Sequence, residues 1–151
     1  LMFLNNNPQA IAEMCRVTRS GGTAAVTVWG PLADTPGYVV MRQIIAELFG
    51  PEIAQSVAFP FSLGDPEKLG QLFIQAGAEN HAIQTITETF HFPSIEDWLF
   101  TEIKGWTLAE VIDDEGYEAL KEVALKRLTT FVQADGSVAF AAPAHIVTVA
   151  I

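Results

Sequence analysis

The sequence predicts an α/β domain of three strands joined by amphipathic helices. Three features carry this reading. The stretch TAAVTVW, Thr23–Trp29, is apolar at both alternating positions, as expected of a strand covered on each face rather than wet on one. The closing stretch 137–151, SVAFAAPAHIVTVAI, repeats that two-sided apolarity. Between them, apolar residues recur three and four apart, the spacing of helices that bury one stripe.

Taken in order, the first helix has Asn7 as cap and Pro8 in its first turn, with Gly21 and Gly22 able to take the left-handed backbone that follows a helix end. Its stripe is Ile11, Met14, Cys15 and Thr18, which leaves Glu13, Arg16 and Arg19 for water. After the strand, a helix over 37–49 carries Tyr38, Met41, Ile45, Leu48 and Phe49, and Gly50-Pro51 reads as its stop. A loop containing AFPFSLGD follows. Asp65 caps a third helix, Pro66 starts it, Leu69, Leu72, Phe73 and Ala76 form its stripe, and Gly77 ends it.

Residues 79–92 are rich in Thr, Ile and Phe and read as a long strand, with Gln84 and Glu88 interrupting the apolar face in the manner of a sheet edge. Over 94–133 the pattern is a helical insertion. Ser94 and Asp97 make a capping-box-like start to a helix carrying Ile95, Trp98, Leu99, Ile103 and Trp106, and DDEG introduces a longer helix with Tyr117, Leu120, Ala124, Leu128 and Phe131. Asp135-Gly136 turns the chain into the last strand, where Pro143 cannot donate to a ladder and predicts a bulge or a break in pairing.

Length and composition narrow the function classes. The 151 residues suit a single domain, 1–151, and half of them are hydrophobic, enough for a sizeable core. A formal charge of -10 repels nucleic-acid backbones and anionic lipid, so neither nucleic acid nor membrane is an expected partner. No apolar run approaches the ~20 residues of a membrane span. The start, LMFLNNNPQA, has neither a basic leader nor a small-residue cleavage pattern, and the expected location is cytoplasmic. Cys15, the lone cysteine, reads as a small core residue. Gly-rich phosphate loops, H-E-x-x-H, paired cysteines and G-x-S-x-G do not occur, so metal binding and triad hydrolysis have no support.

The phrase EMCRVTRSGGTAAVTVWG resembles the post-cofactor half of class I S-adenosylmethionine-dependent methyltransferases, of the small-molecule type related to ubiquinone and menaquinone methyltransferases. Glu13, Met14, Arg16, Val17, Gly21, Gly22 and Trp29 fill the family's positions, and Ser20 stands where proline is usual. LGDPEKLGQLFIQAGAENHAI resembles the helix and Ala-Gly turn before the family's sixth strand, FPSIEDWL its helical insertion over the substrate pocket, and DGSVAFAAPAHIVTVA its closing strand. The resemblance spans nearly the whole chain. It implies a partial Rossmann-like sheet with helices on both faces, the last strand antiparallel and central and the strand at 79–92 on one edge. It also implies S-adenosylmethionine as the family's cofactor. In the family, four strands with a glycine-rich first turn and a ribose-holding acidic residue precede this region. No G-x-G occurs in the 151 residues, so the cofactor half is expected to be missing and the chain is expected not to bind S-adenosylmethionine alone.

Residue by residue, the chemistry is sparse, and no catalytic or cofactor-binding residue is assigned. His81, His91 and His145 lack ligand spacing and read as structural or surface histidines, although pairing of the two strands could bring His91 and His145 together. Asp113, Asp114 and Glu115 read as charges drawn to a helix N-terminus. Trp29 closes a strand at its carboxyl edge, where open α/β sheets place ligands, and Phe59, Phe61, Trp98 and Trp106 lie on segments able to cover it. These five are the substrate-pocket candidates, with core packing the alternative for Trp98 and Trp106. An apolar pocket without a strong acid or base suits methyl transfer, which relies on placing the acceptor in line.

The sequence thus leaves open a substrate-side portion of a methyltransferase and a non-catalytic relative that binds an apolar small molecule or dimerises. A third possibility is an unrelated α+β ligand-binding domain. A homodimer through Thr23–Trp29 is expected, because that edge carries no Lys, Glu or Pro to discourage pairing.

Overall fold

A computed structural model describes residues 1–151, the side chain of Thr107 excepted. In chain order it contains α1 (Asn7–Val17), β1 (Thr23–Trp29), α2 (Pro36–Phe49), α3 (Pro51–Ala58), α4 (Pro66–Gln75), β2 (His81–Phe92), α5 (Ile95–Leu99), α6 (Asp114–Arg127) and β3 (Val138–Ala150). The caps explain most boundaries. Asp65 accepts from the backbone N–H groups of Glu67 and Lys68 at the head of α4, and Ser94 from that of Asp97 at the head of α5. At α1 the cap is Asn6 rather than Asn7: the Asn6 side chain accepts from the Gln9 N–H at 3.1 Å, which leaves Asn7 already helical.

Two helical expectations change. Gly50, at φ +92°, ends α2, but Pro51 does not merely stop it; proline's fixed φ and missing N–H suit a first helical position, and α3 begins there. The expected first arm of the helical hairpin is short. α5 passes into a π-helical turn, Phe100–Lys104, and then into a 3-10 turn, Thr107–Glu110, separated by Gly105. A Cβ on Gly105 would lie 2.4 Å from the Thr101 carbonyl oxygen, so only glycine fits that reversal. Trp106 consequently leaves the buried stripe and is 55% exposed.

The sheet is three-stranded and antiparallel, in the order β1-β3-β2, so the last strand is central and β2 is an edge, as expected. Thr23 lies opposite Ala150 and Trp29 opposite Ala144. The ladder stops beside Pro143. Gly30 donates to the Pro143 carbonyl at 2.7 Å, but Pro143 has no N–H to return, and pairing with β1 ends there without breaking β3.

The chain divides into two compact units. The first comprises Leu1–Asp34, Pro60–Glu88 and Ala142–Ile151. Its core joins Ile11 of α1, Leu69 and Phe73 of α4, Ala78, and the sheet residues Val28, Val147 and Val149, with Ala24, Val26 and Ile83 packed against them. Here the expected cover of β1 on both faces is corrected. Ala24, Val26 and Val28 lie under α1 and α4, whereas Thr23, Ala25 and Thr27 are exposed on the opposite face. Two-sided apolarity did not distinguish valine from the small residues Thr and Ala, which tolerate water. Leu1 and Met2 form part of a turn and pack against the core.

The second unit comprises Thr35–Phe59 and Thr89–Ala141. In it α2 packs against α3 and α6, and α5 against α6. Among the described residues, no helix is long and apolar enough to cross a membrane.

Candidate functional site

The second unit sets a polar pair, a buried tyrosine and a half-buried glutamate, against an aromatic nest. Tyr38 sits in the first turn of α2, and Gly37 beside it is required by space, since a Cβ there would lie 2.6 Å from the Phe140 ring. The Tyr38 hydroxyl donates to Glu102 Oε1 at 2.6 Å. Glu102 belongs to the π-helical turn, a local geometry that recurs at functional sites because it re-aims side chains off the regular helical stripe. Around the pair stand Phe90 at 5.4 Å from the tyrosine ring centre, Trp98 at 5.4 Å and Phe140 at 5.8 Å, and Phe92 stacks on Trp98. Phe90 and Phe92 face this nest because alternate residues of a strand share a face.

Burial governs the electrostatics. It pushes the Glu102 carboxyl above its ordinary 4.5, against the opposing effect of the Tyr38 hydrogen bond. Burial likewise drives the Tyr38 phenol far above its ordinary value, reinforced by the negative Glu102. The buried Trp98 Nε1 makes no hydrogen bond of ordinary geometry, although it lies near enough to the Tyr38 oxygen to oppose that rise. It acts on the phenol as an electrostatic neighbour rather than through a bond, because alignment as well as distance sets hydrogen-bond strength. Such a carboxyl can hold a proton above the usual carboxylate range or accept a hydrogen bond from a hydroxyl brought to it.

The raised Glu102 carboxyl has a consequence for stability. The unfolded chain releases this proton near pH 4.5 and the folded chain only at higher pH. Stability from this group is therefore complete below about pH 4.5 and declines as pH rises through the folded value. Glu102→Gln, whose amide oxygen can still accept from Tyr38, is expected to remove that decline. Urea midpoints measured from pH 4 to 8 would show it as a flatter profile than that of the parent; equal slopes would place the effect elsewhere.

The first unit has a groove of about 460 Å³ lined by Pro31, Asp34, Pro66, Thr85, Thr87, Pro143 and His145. Among these residues His145 is buried, at 2% exposure, and held on both sides. The ring bonds Thr85 Oγ1 through Nδ1 at 2.8 Å and the Gly64 carbonyl through Nε2 at 2.8 Å. A carbonyl only accepts, so Nε2 carries a proton, and in the neutral ring Nδ1 accepts from the threonine. The suggested meeting of His91 with His145 is thereby corrected: the strand register gives His145 a threonine partner, and both ring nitrogens are committed. His81 bonds the Ala78 carbonyl at 2.8 Å and lies beside Phe73, a structural placement. In the acidic run, Asp113 caps α6 by accepting from Gly116 N–H at 2.8 Å.

The five pocket candidates are divided between the units. Trp29, half-buried at the end of β1, and Phe61, buried, belong to the first; Phe59, Trp98 and Trp106 belong to the second. None lines the groove. Trp98 is fully buried in the aromatic nest, while Phe59 and Trp106 are about half exposed. Sequence reading passed over Glu102, though a signal existed: it stands four residues after Trp98, where a charge on a buried stripe calls for a partner.

No family model matches the chain, and no curated protein matches it.

Proposed function

We propose that this chain is the substrate-side portion of a small-molecule methyltransferase that uses S-adenosylmethionine, and that it does not hold the cofactor alone. The observation that carries the reading is the strand order β1-β3-β2, with the closing strand antiparallel between its neighbours, the arrangement implied by the ordered sequence resemblance. The aromatic nest supports an apolar acceptor, and the Tyr38–Glu102 pair supports one bearing a hydroxyl. In this reading the half-buried Phe90 and Phe92, backed by the buried Trp98, orient the acceptor ring, while Glu102 accepts a hydrogen bond from it. The cofactor supplies the methyl group when present. The non-catalytic reading shares the same nest and differs in having no methyl donor.

Two titrations test the proposal. Calorimetry with S-adenosylmethionine is expected to give no heat at micromolar concentrations, and micromolar binding would overturn the absence of a cofactor site. A naphthalene diol, an apolar hydroxylated ring, is expected to quench tryptophan fluorescence, with weaker quenching in Glu102→Gln. No quenching by the diol in the parent protein would overturn the acceptor-side assignment.

A further inference from the structure

The exposed edge of β1 has a specific register. In an antiparallel ladder, alternate residues turn both backbone polar groups toward the partner strand. Gly30 donates to Pro143 and Ile151 donates to Gly22, so the even-numbered residues of β1 face β3. Thr23, Ala25 and Thr27 therefore direct their N–H and C=O groups away from β3, and no hydrogen bond to these groups is found among the described residues. The same three residues have exposed side chains. One strand thus presents an open edge and an open face at the same positions.

We propose that this edge pairs with a second copy of the chain, antiparallel, with the two-fold axis passing beside Ala25. Ala25 then faces its own copy, and Thr23 faces Thr27 of the other chain in both directions. Each of these three pairings exchanges two backbone hydrogen bonds and satisfies all three open residues. The occupant follows from the edge itself. Its open row reads Thr, Ala, Thr in either direction, so a two-fold axis at Ala25 sets small uncharged side chains against one another at all three pairings. The strand carries no charge, so two chains of net charge -10 can meet there without opposing like groups directly. It also has no proline, bulge or lysine of the kind that protects natural edges. One strand edge buries less than a standard interface, so dimerisation is expected in the micromolar range. This proposal rests on β1 as the sheet edge and draws on nothing from the aromatic nest.

Light scattering across micromolar concentrations is expected to show twice the 16.4 kDa chain mass, falling toward one chain on dilution. Ala25→Pro removes an outward N–H that β3 does not use, and Ala25→Lys sets two ammonium groups against each other at the axis. Either variant is expected to be monomeric with an unchanged far-ultraviolet circular dichroism spectrum, and the lysine variant keeps the test open should the proline variant misfold. In a Cys15→Ser background, Ala25→Cys is expected to form a disulfide dimer on oxidation, because paired Cα atoms lie about 5.5 Å apart at such a position. Thr27→Cys, which faces residue 23, is expected not to form one. A parent chain that stays at 16.4 kDa, a dimer that survives both Ala25 variants, or cross-linking through position 27 instead of 25 would overturn the proposal.

Discussion

Gly64→Ala is expected to destabilise the protein by about 3 kcal/mol or more, lowering its melting temperature by on the order of 10 °C. The added Cβ would sit 2.5 Å from the carbonyl carbon and oxygen of Gly30 and 2.6 Å from the Pro31 nitrogen. All three atoms are backbone, and the Pro31 ring fixes its own φ, so no side chain can rotate aside. The displacement would also withdraw the Gly64 carbonyl from His145 Nε2 and leave a buried donor unsatisfied. Gly21→Ala is the comparison. Nothing lies within 4 Å of a Cβ there, and the cost is the left-handed backbone alone, about 1 kcal/mol. Differential scanning calorimetry of the two variants separates steric conflict from backbone strain; equal losses would show that the Gly30–Gly64 approach does not control stability.

Trp98→Ala is expected to cost about 3–5 kcal/mol, the range for emptying a fully buried aromatic site. Its ring centre is 4.7 Å from Phe140 and 5.4 Å from both Tyr38 and Phe92, so truncation leaves three aromatic neighbours facing a void. Trp98→Phe should cost much less. It retains a ring and also deletes an indole N–H that is buried without a proper hydrogen bond, recovering part of its desolvation penalty. Urea unfolding followed by circular dichroism would report both changes. A loss below about 1 kcal/mol for Trp98→Ala would mean that the site collapses around the gap.

These two positions show what could be read from residue order. The Trp98 stripe was legible, because Ile95, Trp98 and Leu99 recur at helical spacing and Ser94 caps them. Its polar centre was harder to see. Tyr38 and Glu102 are 64 residues apart, and the π-helical turn that aims the carboxylate toward the phenol has no simple apolar period. Gly64 gave no sequence signal beyond being a glycine in a loop. Its necessity arises from the close approach of another chain segment, at Gly30 and Pro31. His145 and Thr85 became partners only when the register between strands was fixed.

The sequence by itself determined the elements of this protein, because caps, prolines and apolar spacing act over a few residues and need no distant partner. Asp65 with Pro66 starts α4, Gly50 ends α2, and the short apolar, β-branched run TAAVTVW makes β1. Tertiary structure decided which side of each element water reaches. Thr23, Ala25 and Thr27 remain open because α1 and α4 both pack on the valine face, a choice among long-range packings that a small Thr or Ala side chain does not dictate. It also decided where the polar groups go, since a buried hydroxyl or imidazole is held by whichever distant acceptor the fold brings within about 3 Å.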